Sequence, residues 1–470
     1  MTYYFLGIGG IGMSALARFF KQRGDTVSGY DRTPSPLTQR LQEEGIPIHF
    51  QDDPDQLPQQ IDLAIYTPAI PDDTAELVAI RQKGIPLKKR SQVLGELTTG
   101  KKCIAVAGSH GKTTTSSLIA HLLNKSGIGC SAFLGGICKN FDSNMIVDND
   151  SPYVVVEADE YDCSFLQLHP FYSVITATDP DHLDIYGTHQ NLLDAFQQFA
   201  DQTQPDGHLF LKQGLLGTDT HHHEHEHEDE NEEECHDIHR HFANKQLPIS
   251  TYTSQGIEAD FYPWNVRNYN GNIFFDLRTP QGVIYDIELS NAPLYNVENA
   301  VAAAAVALQC GLTEYQLRDG LKTFQGVRRR FDYQLKTKDI IFIDDYAHHP
   351  KEISAVIDSI RFLYPEKRIV GIFQPHLYSR TADFADQFAE ALSTLDEIIL
   401  LPIYPAREKP ILGVSSHLIL HKIDSMSKYL CTPQQLFELL PALYPDIVLT
   451  LGAGDIDRLV PQITQLLSEN

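Results

Sequence analysis

The sequence predicts an α/β protein of three domains: a Rossmann-like N-terminal domain, a central α/β domain of the P-loop ATPase type, and a Rossmann-like C-terminal domain. Three observations carry this. A chain of 470 residues with 42% apolar content is long enough for about three domains of roughly 100–200 residues, each with its own core. Three stretches each begin with a short apolar run that passes through a turn into a helical pattern, as parallel α/β units do. Two of the opening turns are rich in glycine. The domains are expected at 1–98, 99–325 and 326–470.

The first stretch reads as strands at Tyr3–Leu6, Val27–Asp31 and Leu63–Tyr66. After its first strand comes Gly7-Ile8-Gly9-Gly10-Ile11-Gly12, a G-x-G-x-x-G that leads into the helical pattern Met13–Phe20. Such glycines allow a tight turn and bring backbone amides close to a diphosphate at the positive end of a helix. Asp31, at the end of the second strand, stands where a ribose-binding acid stands in dinucleotide sites. Alone, this loop suggests NAD, or glycines kept only for helix–sheet packing.

The second stretch opens with the strand Cys103–Ala107 and enters Gly108-Ser109-His110-Gly111-Lys112-Thr113-Thr114 before a helix at 115–124. Its amides are suited to cradle phosphates, Lys112 to reach the terminal ones, and the Thr113 hydroxyl to meet Mg²⁺. The loop departs from the common G-x-x-x-x-G-K-[ST] spacing, because Val106 stands five residues before Gly111. A nucleoside triphosphate and a second phosphorylated ligand together exclude a simple dehydrogenase.

Next come the strand Tyr153–Val156 and Glu157-Ala158-Asp159-Glu160-Tyr161-Asp162. Mg²⁺ takes one or two protein carboxylates besides phosphate and water oxygens, so Glu157, nearest the strand, is the ligand candidate and the other acids need different roles. A solvated acidic turn is the plain alternative. His182, flanked by Asp181 and Asp184 beyond the strand ending at Ile175, is a candidate for a second metal or for substrate. The α/β rhythm then breaks at about 214–245. Residues 221–241 hold nine acids, eight His and one Arg, and a segment with so little apolar surface reads as an insertion outside any core. Its imidazoles suit Zn²⁺ or Ni²⁺, but a solvated, variable loop is the favoured reading.

Short alternating strands at Phe274–Leu277 and Val283–Ile287 precede an Ala-rich helix at 298–308. Asn296 and Asn299 at its start are candidates for an adenine edge, and helix capping by Asn296 fits equally. Arg328-Arg329-Arg330, at the join to the third domain, either clamps a γ-phosphate or faces solvent. Strands at Ile340–Ile343, Ile369–Phe373, Glu397–Leu401 and Ile447–Leu451 follow. After them come Asp344-Asp345-Tyr346-Ala347-His348-His349-Pro350, Gln374-Pro375-His376-Leu377-Tyr378-Ser379-Arg380 and Gly452-Ala453-Gly454-Asp455-Ile456, the last a backbone nest or a simple turn.

A net charge of −25 argues against nucleic acid or an anionic membrane as partner. Seven cysteines without a C-x-x-C pair suggest neither a disulfide framework nor a Cys-based zinc site and fit a reducing cytoplasm. The uncharged stretch before Arg18 lacks the basic start of a signal peptide, and no apolar run is long enough for a membrane span.

These motifs together resemble the Mur ligases, the ATP-dependent amino-acid-adding enzymes of peptidoglycan synthesis. The resemblance rests on G-I-G-G-I-G-M-S at 7–14, G-S-H-G-K-T-T-T at 108–115, E-A-D-E-Y-D at 157–162 and D-H-L-D at 181–184. It continues through N-V-E-N-A at 296–300, R-R-R-F at 328–331, D-D-Y-A-H-H-P at 344–350, Q-P-H at 374–376 and G-A-G-D-I at 452–456. They fall in the family's order over nearly the whole chain, and only the insertion has no counterpart.

The resemblance implies that Gly7, Gly9, Gly10, Gly12 and Asp31 hold a UDP-sugar rather than a nicotinamide cofactor. It implies that Gly108, Ser109, His110, Gly111, Lys112, Thr113, Thr114, Asn296, Asn299, Arg330 and Asp345 bind ATP. Thr113 and Glu157 would hold Mg²⁺, for which Mn²⁺ can substitute, with His182 at a second metal. The third domain would close over the site, with Tyr346, His348, His376 and Arg380 receiving an amino acid; Lys112, Glu157, His182, His348 and Arg380 would be the catalytic set. No lysine follows His182 until Lys212, whereas other branches use a carbamylated lysine there, so the branch that joins L-alanine to the lactoyl carboxylate of UDP-N-acetylmuramate fits best. Leu377 stands where many members of that branch have Arg, which leaves the amino-acid carboxylate to Arg380 and His348. The alternatives are the recycling ligase that adds a tripeptide to the same sugar, and a metal-buffering protein with a vestigial ATP site. A monomer and a homodimer fit the sequence equally.

Overall fold

The computed structural model describes residues 1–180, 183–215, 247–254, 259–406 and 408–469. Both His182 and the tract 221–241 lie outside the described residues. The chain divides into two compact units. The first comprises Met1–Trp264, Asp276–Tyr285 and Glu298–Leu321; the second comprises Asn265–Phe275, Asp286–Val297 and the chain from Lys322 onward.

The first unit holds two sheets. One consists of β1 (Thr2–Leu6), β2 (Thr26–Tyr30), β3 (Ile48–His49), β4 (Leu63–Tyr66) and β5 (Leu87–Lys89) in the order β3-β2-β1-β4-β5. All its pairs are parallel. The strand order reverses at β1, and the loop Gly7–Gly12 leaves that strand, so it stands at the switch point where open α/β sheets bind ligands. Helix Ile11–Gln22 follows and buries Met13, Leu16, Ala17 and Phe20, spaced to share one face. Each buried Leu, Met or Phe contributes about 1.5–3 kcal/mol relative to exposure.

The second sheet consists of β6 (Lys102–Ala107), β7 (Ser131–Cys138), β8 (Ser143–Ile146), β9 (Tyr153–Glu157), β10 (Tyr172–Ile175), β11 (His208–Lys212) and β12 (Ile249–Tyr252), in the order β12-β11-β10-β6-β9-β7-β8. Its central strands are covered on both faces, so Val154, Val155 and Val156 form an unbroken buried run rather than an alternating one. The antiparallel edge pair β7–β8 was not legible in the sequence, because glycines at 135 and 136 break its apolar pattern. Both sheets share an apolar core. Phe19 and Phe133 rings lie 5.5 Å apart, and Arg18 donates to Asn144 Oδ1 at 2.8 Å.

Three strands, β13 (Tyr262–Tyr269), β14 (Asn272–Thr279) and β15 (Gly282–Leu289), form a small sheet whose residues divide between the units. The second unit is built on β16 (Asp332–Lys336), β17 (Ile341–Asp345), β18 (Ile369–Phe373), β19 (Glu397–Leu400), β20 (Lys428–Leu430) and β21 (Ile447–Leu451), in the order β16-β17-β21-β18-β19-β20. All pairs but β16–β17 are parallel. One expectation changes here. Asp344 and Asp345 belong to β17 instead of following it, because pairing with β21 continues to Asp345↔Leu451, and both are buried.

Candidate active site

Around the first loop, Gly7 takes a φ of +83° and donates its N–H to Tyr30 O at 2.8 Å. Gly9 N–H donates to Asp31 Oδ2 at 2.7 Å, and Thr33 N–H to Asp31 Oδ1 at 3.0 Å. The acid expected at a ribose therefore binds the loop's own backbone. A Cβ at Gly12 would lie 2.6 Å from Arg90 Nη1, so a guanidinium lies against the start of helix Ile11–Gln22. Arg90 also pairs with Asp159 Oδ2 at 3.1 Å, and Lys89 with Asp162 Oδ2 at 2.7 Å. Neither cation was picked out in the sequence. Their only mark there is the basic run Lys88-Lys89-Arg90, and its partners are about 70 residues away.

The second loop leaves β6 between β9 and β10. Gly108 has a φ of +137°, and a Cβ there would lie 2.7 Å from the Ala177 nitrogen. Gly111, at φ +81°, begins helix Lys112–Ser126 without any side-chain cap, which leaves the first amides of that helix for an anion. Ser109 donates from Oγ to Asp179 O at 2.7 Å, and the His110 carbonyl accepts from the Thr176 hydroxyl. Thr114 is buried in the first turn of the helix. Asn299 sits against the loop: its Oδ1 accepts from Thr115 Oγ1 at 3.2 Å and would meet a Cβ on Gly111 at 2.6 Å. Asn296 belongs to the second unit.

Lys112 Nζ donates to Gly108 O at 2.6 Å and to Glu160 Oε1 at 2.8 Å. Thr113 Oγ1 donates to Glu157 Oε1 at 3.1 Å, and Glu157 Oε2 accepts from Gly135 N–H at 2.9 Å. Burial pushes the Glu157 carboxyl above the usual carboxylate range, against the pull of Lys112. A hydroxyl and a carboxylate oxygen side by side at a phosphate loop are the hard-oxygen set that Mg²⁺ accepts, with phosphate and water oxygens completing its shell.

In the second unit, Arg330 and Arg329 stack on the Tyr346 ring with their guanidinium carbons 5.1 and 5.0 Å from its centroid. Arg329 is structural: it donates to Gly452 O at 2.6 Å and pairs with Asp457 at 3.3 Å. Asp345 accepts from Phe331 N–H at 2.6 Å and Ala347 N–H at 2.7 Å, so it fixes the loops that carry Arg330 and Tyr346. Burial raises its pKa to about 6.

His348 and His376 rings lie 6.0 Å apart, and His376 stacks on Tyr404 at 5.7 Å. Burial lowers the pKa of both, His376 to about 4, and the positive charge of Arg380 adds to this. Both imidazoles are therefore neutral at neutral pH. Leu377 holds a φ of +73° at the start of helix Tyr378–Asp383, where Glu408 accepts from Ser379 N–H at 3.0 Å. The structure thus gathers the UDP-sugar and phosphate-loop candidates in the first unit, and Arg330, Asp345, Tyr346, His348, His376 and Arg380 in the second.

Three family models match the chain in sequence order: Mur ligase family, catalytic domain, over residues 2–102; Mur ligase middle domain, over 106–307; and Mur ligase, glutamate ligase domain, over 329–454. A UDP-N-acetylmuramate--L-alanine ligase of Phocaeicola vulgatus is 46% identical, covering all of this chain and 98% of the relative. Among solved structures, a UDP-N-acetylmuramate-alanine ligase of Thermotoga maritima superposes with a TM-score of 0.82 at 26% identity, covering 100% of both chains. A murein peptide ligase of Psychrobacter arcticus gives 0.69 at 19% identity, over 100% of this chain and 99% of its own, a likeness of fold alone. With matching domains in matching order and near-half identity along its whole length, the chain belongs to the Mur ligase family.

Proposed function

We propose that the protein joins L-alanine to the lactoyl carboxylate of UDP-N-acetylmuramate at the expense of ATP, the first amino-acid addition to the peptidoglycan precursor. The observation that carries this is the 46% identity to a ligase of that name over the full chain, with Thr113 in contact with Glu157 and Lys112 opening the same uncapped helix. The domains are taken as 1–98 for the UDP-sugar, 99–325 for ATP and 326–470 for the amino acid.

The sugar's diphosphate lies on Gly7, Gly9, Gly10 and Gly12, with Asp31 at its ribose. ATP lies on Gly108–Thr114, with Asn296, Asn299 and Arg330 as further contacts and Asp345 holding Arg330 in place. Thr113 and Glu157 would hold Mg²⁺, or Mn²⁺ in its stead, with His182 at a second metal, and the ions when bound would offset phosphate charge. Lys112 meets the terminal phosphate as the lactoyl carboxylate attacks it, giving an acyl phosphate and ADP. Arg380 takes the L-alanine carboxylate, with Tyr346 and His376 lining its site. His348 shares that carboxylate with Arg380, and the alanine amine, its proton lost to solvent, attacks the acyl carbon and expels phosphate. No covalent enzyme nucleophile is needed, so positioning and electrostatics supply most of the rate.

A cytoplasmic setting suits the substrates and the six described cysteines, all free thiols. No described helix is long and apolar enough to cross a membrane. The test is phosphate release from ATP with UDP-N-acetylmuramate, comparing L-alanine, glycine, L-serine and a tripeptide. Release with L-alanine is expected; release with the tripeptide alone would make the protein the recycling ligase, and none with any acceptor would overturn the ligase reading.

A further inference from the structure

Glu160 is the most deeply buried carboxylate of the acidic turn, with 1% exposure, and it faces Lys112, itself 15% exposed. An ion pair so far from water costs desolvation on both sides, and removal of one partner alone leaves a buried charge without its counter-ion. The turn is shaped to put Glu160 there. Asp162 and Cys163 both adopt left-handed backbone, at φ +54° and +52°, a conformation costly for residues other than glycine unless the surroundings impose it. Those surroundings are on either side. Arg90 holds Asp159 and Lys89 holds Asp162, Cys163 N–H donates to Glu160 O at 3.0 Å, and Tyr186 Oη donates to the same carbonyl at 2.5 Å.

We infer that Glu160 is a positioning residue for Lys112: it holds the ammonium at the mouth of the loop and keeps it aligned on the terminal phosphate during transfer. The inference rests on the reading of Gly108–Thr114 as the ATP site. A long, flexible lysine otherwise samples many rotamers, and a second, fixed carboxylate contact restricts it to those that point along the helix start. Because Glu160 acts through Lys112, its loss slows transfer more than it weakens ATP binding.

The experiment is a double-mutant cycle with Glu160→Gln and Lys112→Ala, reading kcat and ATP KM in the phosphate-release assay and thermal midpoints of all four proteins. Glu160→Gln is expected to lower kcat at least about tenfold with ATP KM raised less than about threefold, and to have no further effect in the Lys112→Ala background. Lys112→Ala is expected to unfold at a lower temperature than the double variant, because it alone takes the Lys112 cation away from a carboxylate that stays charged and buried; this reading stands even where activity is lost. An unchanged kcat in Glu160→Gln, additive losses in the cycle, or a double variant no more stable than Lys112→Ala would each overturn the inference. Wild-type protein that releases no phosphate would instead overturn the ATP-site reading.

Discussion

Gly7–Gly12 and Gly108–Thr114 each leave the C-terminal end of an inner strand and enter a helix, but they obtain their positive charge differently. The first loop carries no cation of its own. It offers backbone amides, one already held by Asp31, and takes its charge from Arg90, which comes from a distant segment. The second loop carries Lys112 within it, paired with Glu160. A diphosphate that is only held needs fixed donors, whereas a phosphoryl group in flight needs a charge close to the bond that breaks. In both loops an acid occupies a donor that phosphate would use.

The contrast is broken most directly at Lys112. Lys112→Ala is expected to lower ATP-dependent phosphate release by at least about 10³-fold, and near-normal release would erase the distinction between the loops. Arg90→Ala should act on the other side alone, raising the KM for UDP-N-acetylmuramate about 10- to 100-fold, the worth of hydrogen bonds to a charged group, with ATP KM unchanged; an equal shift in both would show that the charge is shared. Gly12→Ala tests the same contact more gently. Its methyl meets the flexible end of Arg90, which can withdraw, so a rise of about fivefold in the same KM is expected from a loss of ~1 kcal/mol.

The smallest effect concerns the helix behind the second loop. His121 Nε2–H donates to Gly320 O at 3.0 Å, and burial lowers its pKa from 6.5 to about 4. The folded state thus favours the neutral ring. Its contribution is present above pH 6.5 and is lost as pH falls from there towards 4. Urea midpoints should show wild type ahead of His121→Gln by about 1–2 kcal/mol at pH 7.5 and the gap closing by pH 4.5. A gap that widened in acid would show a charged His121 in the folded protein.

Much of the candidate site was legible because phosphate chemistry uses local patterns. A strand, a glycine turn and a helix are adjacent in sequence, so Gly7–Gly12, Gly108–Thr114 and Glu157 could be found by reading along the chain. Arg90 and Glu160 could not. Each matters for a partner far away in sequence, and a basic residue before a helix or one acid among four carries no mark of which way it points. Asp31 and Asp345 were legible as candidate site acids but not as acids bound to backbone amides, since no spacing reveals what a carboxylate accepts.

The sequence by itself determined the three α/β stretches, the order of the motifs and the kind of chemistry, because apolar periodicity and glycine placement are written locally. Tertiary structure alone decided the strand orders that put β1 at the switch point of its sheet and β6 between β9 and β10. It also decided the fit of Arg90 against Gly12 and the pairing of Glu160 with Lys112. Those contacts join segments 48 to 78 residues apart, and only the packed sheets bring such segments together.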